Sequence, residues 1–188
     1  MLRYLEEYAR YAEITGYNNI KFSQAETFLK TNRKENKRDI DLQFFDAGLV
    51  ATCEHLYFAI LNALCAFQNK TNVSKSLAME TMLYASAQRQ IKKAIQRCGI
   101  KPETTDMAVI LIGENPANLQ TVLNAVTACV GVEPNERVLE MSIAKEKKIK
   151  ETFKVTDEEL KTVMGKENRE DAIVSLVIEQ VALLATQL

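Results

Sequence analysis

The chain has 188 residues, 47% of them hydrophobic and 26% charged, and 24 Lys and Arg nearly balance 25 Asp and Glu for a formal net charge of -1. That is enough apolar material for one domain with a core, and no run approaches the roughly 20 apolar residues that cross a bilayer, so no membrane partner is expected. The N-terminus carries acids early and lacks a secretory apolar region, and Cys53, Cys65, Cys98 and Cys129 show no C-x-x-C spacing, so they read as core residues of a reduced, cytoplasmic protein.

Along the chain, Ala12–Tyr17 reads as a weak first strand and Ser23–Leu29 as a short capped helix, followed by a polar loop at Thr31–Arg38. Asp41–Asp46 alternates as a strand does, with Leu42 and Phe44 on one face and Gln43 and Phe45 on the other. Glu54–Phe67 is an apolar helix with Leu56, Ala59, Ile60, Ala63 and Leu64 as its buried stripe. A second apolar helix begins over Lys75–Tyr84. Met107–Ile112 is apolar at every position and belongs in the middle of a sheet with both faces covered. Asn115-Pro116 opens a helix that runs to Val130 and stops at Gly131. Val138–Ser142 fits a short edge strand, Lys145–Phe153 a lysine-rich helix, and Thr156–Glu159 a capped helical turn. The expected architecture is a single α/β domain over residues 1–188, a small mixed sheet layered with helices and ending in an apolar docking helix.

The most informative segment is Met79–Lys101. Between Glu80 and Glu103 there is no acid, yet Arg89, Lys92, Lys93, Arg97 and Lys101 all fall there. Ile91, Ala94, Ile95 and Cys98 share one helical face, expected to be buried, and the cations spread over the rest. Ser86 is the expected cap of this helix, and Gly99 its left-handed stop. Such a patch attracts polyanions, although charge patterning alone describes many solvated surfaces as well.

The wording of that segment, SLAMETMLYASAQRQIKKAIQRCGIK, resembles the signature of the small KEOPS subunit, the TPRKB family. The preceding block Asp46–His55 is similar too, as is the later order of a strand ending in Ile112-Gly113-Glu114, then Val138-Leu139-Glu140, a charged helix and an apolar C-terminal helix. The resemblance runs over roughly 39–188, with 1–38 matched only loosely. It departs from the pattern at Ala87, where the family more often carries glycine. It implies a non-catalytic accessory subunit of the assembly that makes threonylcarbamoyl adenosine in certain tRNAs, with a kinase-like ATPase subunit and tRNA as partners. In archaeal-type systems the resemblance implies a grip on the single-stranded CCA end. The expected RNA-binding residues are His55, Gln88, Arg89, Gln90, Lys92 and Lys93, of which the cations meet phosphates and the others address a base.

The last helix, Asp171–Leu188, is apolar around almost its whole circumference, and such a helix is buried on more than one side. Either its own fold supplies both covers or a partner does; the resemblance favours the partner, with Ile173, Val177, Val181 and Leu184 as the expected docking residues. The chain has one histidine and no phosphate loop, dinucleotide fingerprint, nucleophile elbow or metal-ligand spacing, so neither catalysis, a cofactor, a metal nor a small-molecule substrate is expected. The alternative reading is a stand-alone α/β module that regulates a kinase by contact or binds a small ligand, without RNA.

Overall fold

The computed structural model describes residues 1–35, 40–164 and 168–186. At its centre lies β4 (Met107–Gly113), buried at every position as its unbroken apolar run requires. β2 (Arg10–Tyr17) and β3 (Asp41–Asp46) pair with β4 on either side, and β1 (Leu2–Leu5) adds to the outer edge of β2. Among the described residues these form one sheet of order β1-β2-β4-β3. Every pairing is antiparallel, with Ile14 opposite Ile110 and Phe44 opposite Val109.

The layered α/β arrangement is as expected, but the sheet is antiparallel rather than mixed. The reason is topological. A helix crossover normally sets two parallel strands side by side, and α1 (Phe22–Glu35) does connect β2 to a parallel β3. It leaves one position open between them, and β4 fills that gap in the opposite direction.

The two faces are covered unequally. α1 and α5 (Pro116–Val130) cover one face over Tyr17, Leu42, Phe44, Val109 and Leu111. On the other, over Ile14, Phe45, Ile110 and Ile112, lie α2 (Cys53–Gln68), α3 (Leu77–Ala85), α4 (Ile91–Cys98), α6 (Ile143–Phe153), α7 (Asp157–Val163) and α8 (Arg169–Leu183). Local chemistry starts these helices where the sequence places them. The Asn115 side chain accepts a bond from Ala117 N ahead of Pro116. Thr156 and Glu159 form a reciprocal capping box. Gly131, at φ +70°, ends α5 in the left-handed conformation.

Three sequence expectations change. The helix expected over Ser23–Leu29 runs on to Glu35, because Lys, Arg and Glu are good helix formers; 36–38 lie outside the described residues. Val138–Ser142 is not an edge strand. Glu136–Leu139 is a 3-10 turn, held against β2 by Asn135 N donating to Gly16 O at 2.7 Å, and Ser142 caps α6. Of the four cysteines, Cys98 is buried and Cys53 and Cys129 are half-buried, but Cys65 is exposed on α2. Among the described residues, no helix is long and apolar enough to cross a membrane.

Candidate functional site

The basic segment begins with a sharp stop to α3. Gln88 N donates to Leu83 O at 3.0 Å and Ala87 N to Tyr84 O at 2.9 Å, the paired bonds of a Schellman closure. That closure puts Ala87 at φ +48°, in the left-handed region where glycine is the usual occupant. The departure from the family pattern at Ala87 therefore falls on a residue whose backbone favours glycine. Ser86, expected as the cap of the basic helix, instead belongs to the end of α3, where its hydroxyl donates to Leu83 O at 3.1 Å. α4 starts at Gln90 without a side-chain cap.

α4 is two turns long, and only Ala94 and Cys98 of its expected apolar face are buried. Ile91 and Ile95 are each 41% exposed. So short a helix rests on the core along a narrow seam, and the residues flanking that seam stay in contact with water. Gly99 stops it without entering the left-handed region, at φ -72° and ψ 156°. Its lack of a side chain matters for another reason: a β-carbon there would stand 2.6 Å from Ile95 O.

Gln88, Lys93, Gln96, Arg97 and Lys101 come together in a shallow, open cleft whose other wall is Leu49 and Thr152 of α6. The Arg97 guanidinium donates to Ser86 O at 3.0 Å and lies 5.7 Å from the centre of the Phe153 ring, so it braces the turn from below. Lys92, Lys93 and Lys101 have no carboxylate within ion-pair distance among the described residues. Several cations elsewhere are matched, Arg10 with Glu114, Lys30 with Glu26, Lys150 with Asp157 and Arg169 with Glu146. Gln90 and Lys92 are exposed outside the cleft. Arg89 departs from it altogether: half-buried, it reaches the end of the last helix, where Nη1 donates to Leu184 O at 3.4 Å.

His55 corrects the sequence reading most sharply. It is 0% exposed, so it cannot present itself to a base. Nδ1 accepts from Ala51 N at 3.1 Å, which leaves the proton on Nε2 to be donated to Ala85 O at 2.8 Å. Phe153 packs edge-on against the ring at 5.5 Å between centroids. Burial pushes the imidazole down to about 4, against the Ala85 bond. His55 is a neutral strut joining the start of α2 to the end of α3, directly behind the Ala85–Ala87 turn.

The docking residues expected on α8 also face inward. Ile173, Val177 and Val181 are 0% exposed and Leu184 is 4%, packed in the core with Leu56 and Ile60 of α2. The outward side instead carries exposed Asp171, Ser175 and Glu179 with half-buried Ile178, exposed Ala182 and Leu183 at 46%, and neighbouring α2 exposes Phe58, while half-buried Val174 still packs against the core. The i, i+4, i+8 spacing of Asp171, Ser175 and Glu179 is the sequence signal that marks this side as outward.

One further buried cation was not anticipated. Lys145 is 6% exposed, and its ammonium donates to Val138 O at 3.0 Å and Glu140 O at 3.1 Å. Burial lowers its pKa to about 8, opposed by Asp106, Asp46 and Glu140. Among the described residues no cluster of three or more His, Cys, Asp or Glu is arranged to hold a metal ion.

Two predictions follow from the turn and its strut. Ala87→Gly removes about 1–2 kcal/mol of left-handed strain and adds about 0.4–1 kcal/mol of unfolded-chain entropy, so chemical denaturation should show a net stabilisation of roughly 0.5–1 kcal/mol; unchanged or lower stability would sink the strain assignment. His55 is the single histidine, so its NMR titration is unambiguous, and the midpoint should lie near 4. The unfolded chain then binds the extra proton from about pH 6.5 downward while the folded one resists it until about 4. The strut's contribution is therefore complete above about pH 6.5 and is lost as pH falls towards 4, by roughly 3 kcal/mol in all. A midpoint near 6.5 would mean that the ring is solvated.

Residues 17–185 match the family model described as kinase binding protein CGI-121. A regulatory protein Cgi121 from Methanocaldococcus jannaschii is 34% identical over 116 residues, which are 62% of this chain and 72% of that protein. EKC/KEOPS complex subunits named cgi121 from Aspergillus terreus and Coccidioides immitis are 26% and 25% identical over 89 and 93 residues, covering 47% and 50% of this chain and less than half of each relative, 46% and 45%. With nearly the whole chain matched and the Ala-Ser-x-x-Arg-Gln-Ile segment in place, the chain belongs to the kinase binding protein CGI-121 family.

Proposed function

We propose that the protein is a non-catalytic accessory subunit of the KEOPS complex that docks on its kinase-like ATPase and holds the single-stranded CCA end of tRNA during threonylcarbamoyl adenosine synthesis. The observation that carries the RNA half is the cleft of Gln88, Lys93, Gln96, Arg97 and Lys101, with Lys93 and Lys101 unmatched by carboxylates among the described residues. Single strands are gripped by cations along the backbone together with apolar or aromatic surfaces for the bases. Leu49 supplies apolar surface within the cleft. Relative to the sequence reading, Arg97 and Lys101 take over phosphate contact from Arg89, and His55 acts by holding the turn.

The kinase half rests on the description of the family, kinase binding protein, and on the outer side of α8 near its C-terminal end. There Ile178, Ala182 and Leu183 leave apolar surface on a helix whose inner side is already committed to α2, which suits pairing with another helix.

Fluorescence anisotropy with intact and CCA-trimmed tRNA tests the first half. About three phosphate contacts give a salt slope near -2 for a single strand, and Lys93→Ala should lower affinity and flatten that slope by about 0.7. Equal binding by intact and trimmed tRNA would rule out end recognition. For the second half, Leu183→Glu and Ala182→Glu should each weaken binding to the kinase-like ATPase by about 10-fold or more, a central-contact loss of at least 1.4 kcal/mol, with circular dichroism unchanged. Folded variants that bind with wild-type affinity would move the docking surface off α8.

A further inference from the structure

The lysine-rich helix α6 has no role in the proposed grip on the RNA end, yet it lines two neighbouring clefts. Thr152 forms one wall of the basic cleft beside α4. One and two turns earlier on the same side of α6, Lys148 and Lys145 line a second and larger cleft with Gly48, Asn135 and Arg137. The short 3-10 turn Ala47–Leu49 separates the two, with Leu49 in the first and Ala47 and Gly48 in the second. Lys148 lies across this divide: its Nζ is 3.5 Å from where a β-carbon on Gly48 would stand.

The charges on the divide favour a polyanion. Lys148 has no carboxylate within ion-pair distance among the described residues. The nearby Asp46 is already engaged, accepting from Gly48 N at 2.9 Å and from the Thr104 hydroxyl at 3.1 Å. Within the second cleft the character is mixed: Arg137 is an exposed cation, Asp106 and Glu140 are acids, and Lys145 is bonded to backbone carbonyls. Positive surface therefore runs from Lys101 and Lys93, over the 47–49 turn, to Lys148 at the edge of this mixed cleft.

We propose that this surface is one continuous RNA track, in which Lys148 of α6 contacts a phosphate upstream of the terminal nucleotides held beside α4. The inference rests on the RNA reading above and extends it: the protein grips a length of strand leading to the end, rather than the end alone. Recognition along the track is of phosphate and independent of base, as expected of a lysine without an aromatic neighbour.

The test uses the full chain and two probes, intact tRNA and a single-stranded tetranucleotide ending in CCA. Lys148→Ala should weaken tRNA binding by about 3-fold or more and flatten its salt slope by about 0.7, leave the tetranucleotide unaffected, and be rescued by Lys148→Arg. Lys147, exposed on the same helix but lining neither cleft, is the control, and Lys147→Ala should change little. Wild-type tRNA affinity in Lys148→Ala, equal loss in Lys147→Ala, or equal loss with the tetranucleotide would each overturn the track. Failure of the end-grip reading looks different: tRNA binding would survive removal of CCA, and a selective Lys148→Ala effect on that binding would still support the track.

Discussion

The constraint on which the structure depends is that β4 offers no polar side chain on either face. A strand of MAVILIG cannot border water on either side, so helices must cover both faces of the sheet. The cover is thin over Leu42, Phe44 and Val109, where two helices suffice. Over Ile14, Ile110 and Ile112 it is thick enough to bury α3 at every position, while α2 keeps an exposed side with Phe58 and Cys65. The proposed functional surfaces belong to the outer members of this thick layer, and their positions are set by how those members rest on the inner ones.

His55, Arg97 and Phe153 show how that resting is specified. Each belongs to a different helix, and each touches the Ala85–Ser86 carbonyls or the others: His55 through Nε2, Arg97 through its guanidinium, Phe153 through its ring. Together they occupy the backbone acceptors at the end of α3, which would otherwise be buried without partners. A turn secured from three directions holds a left-handed alanine without relaxing, and the basic cleft is built on that turn.

Features governed by local pattern were legible in the sequence. The bounds of β3, β4 and α5, the buried stripe of α2 and the Thr156–Glu159 cap depend on neighbours a few residues away, and they stand where the pattern puts them. Features that depend on distant partners were not. β1 is four residues of mixed character that become a strand only beside β2, and Val138 gives a turn because Asn135 is bound to Gly16. His55 was misread because a polar ring can be satisfied in a core by two backbone groups, and α8 because its apolar residues outweighed Asp171, Ser175 and Glu179, which mark its outer side. Arg97 and Lys101 were visible as charge, but their convergence with Thr152 of α6 depends on packing between segments 50 residues apart.

The order of the sheet also sets an order of events. β2 and β3 share no hydrogen bonds, and their common neighbour lies far down the chain: Tyr11 pairs with Gly113 and Asp41 with Ile112. During synthesis, these two strands thus emerge with no template between them, and the sheet closes only once β4 has left the ribosome. Closure over so long a loop is slow. In the interval the nascent chain exposes strand edges of the kind that chaperones bind and that drive aggregation. α8 emerges later still and seals the layer that covers Ile110 and Ile112, so native packing on that side is completed only after it.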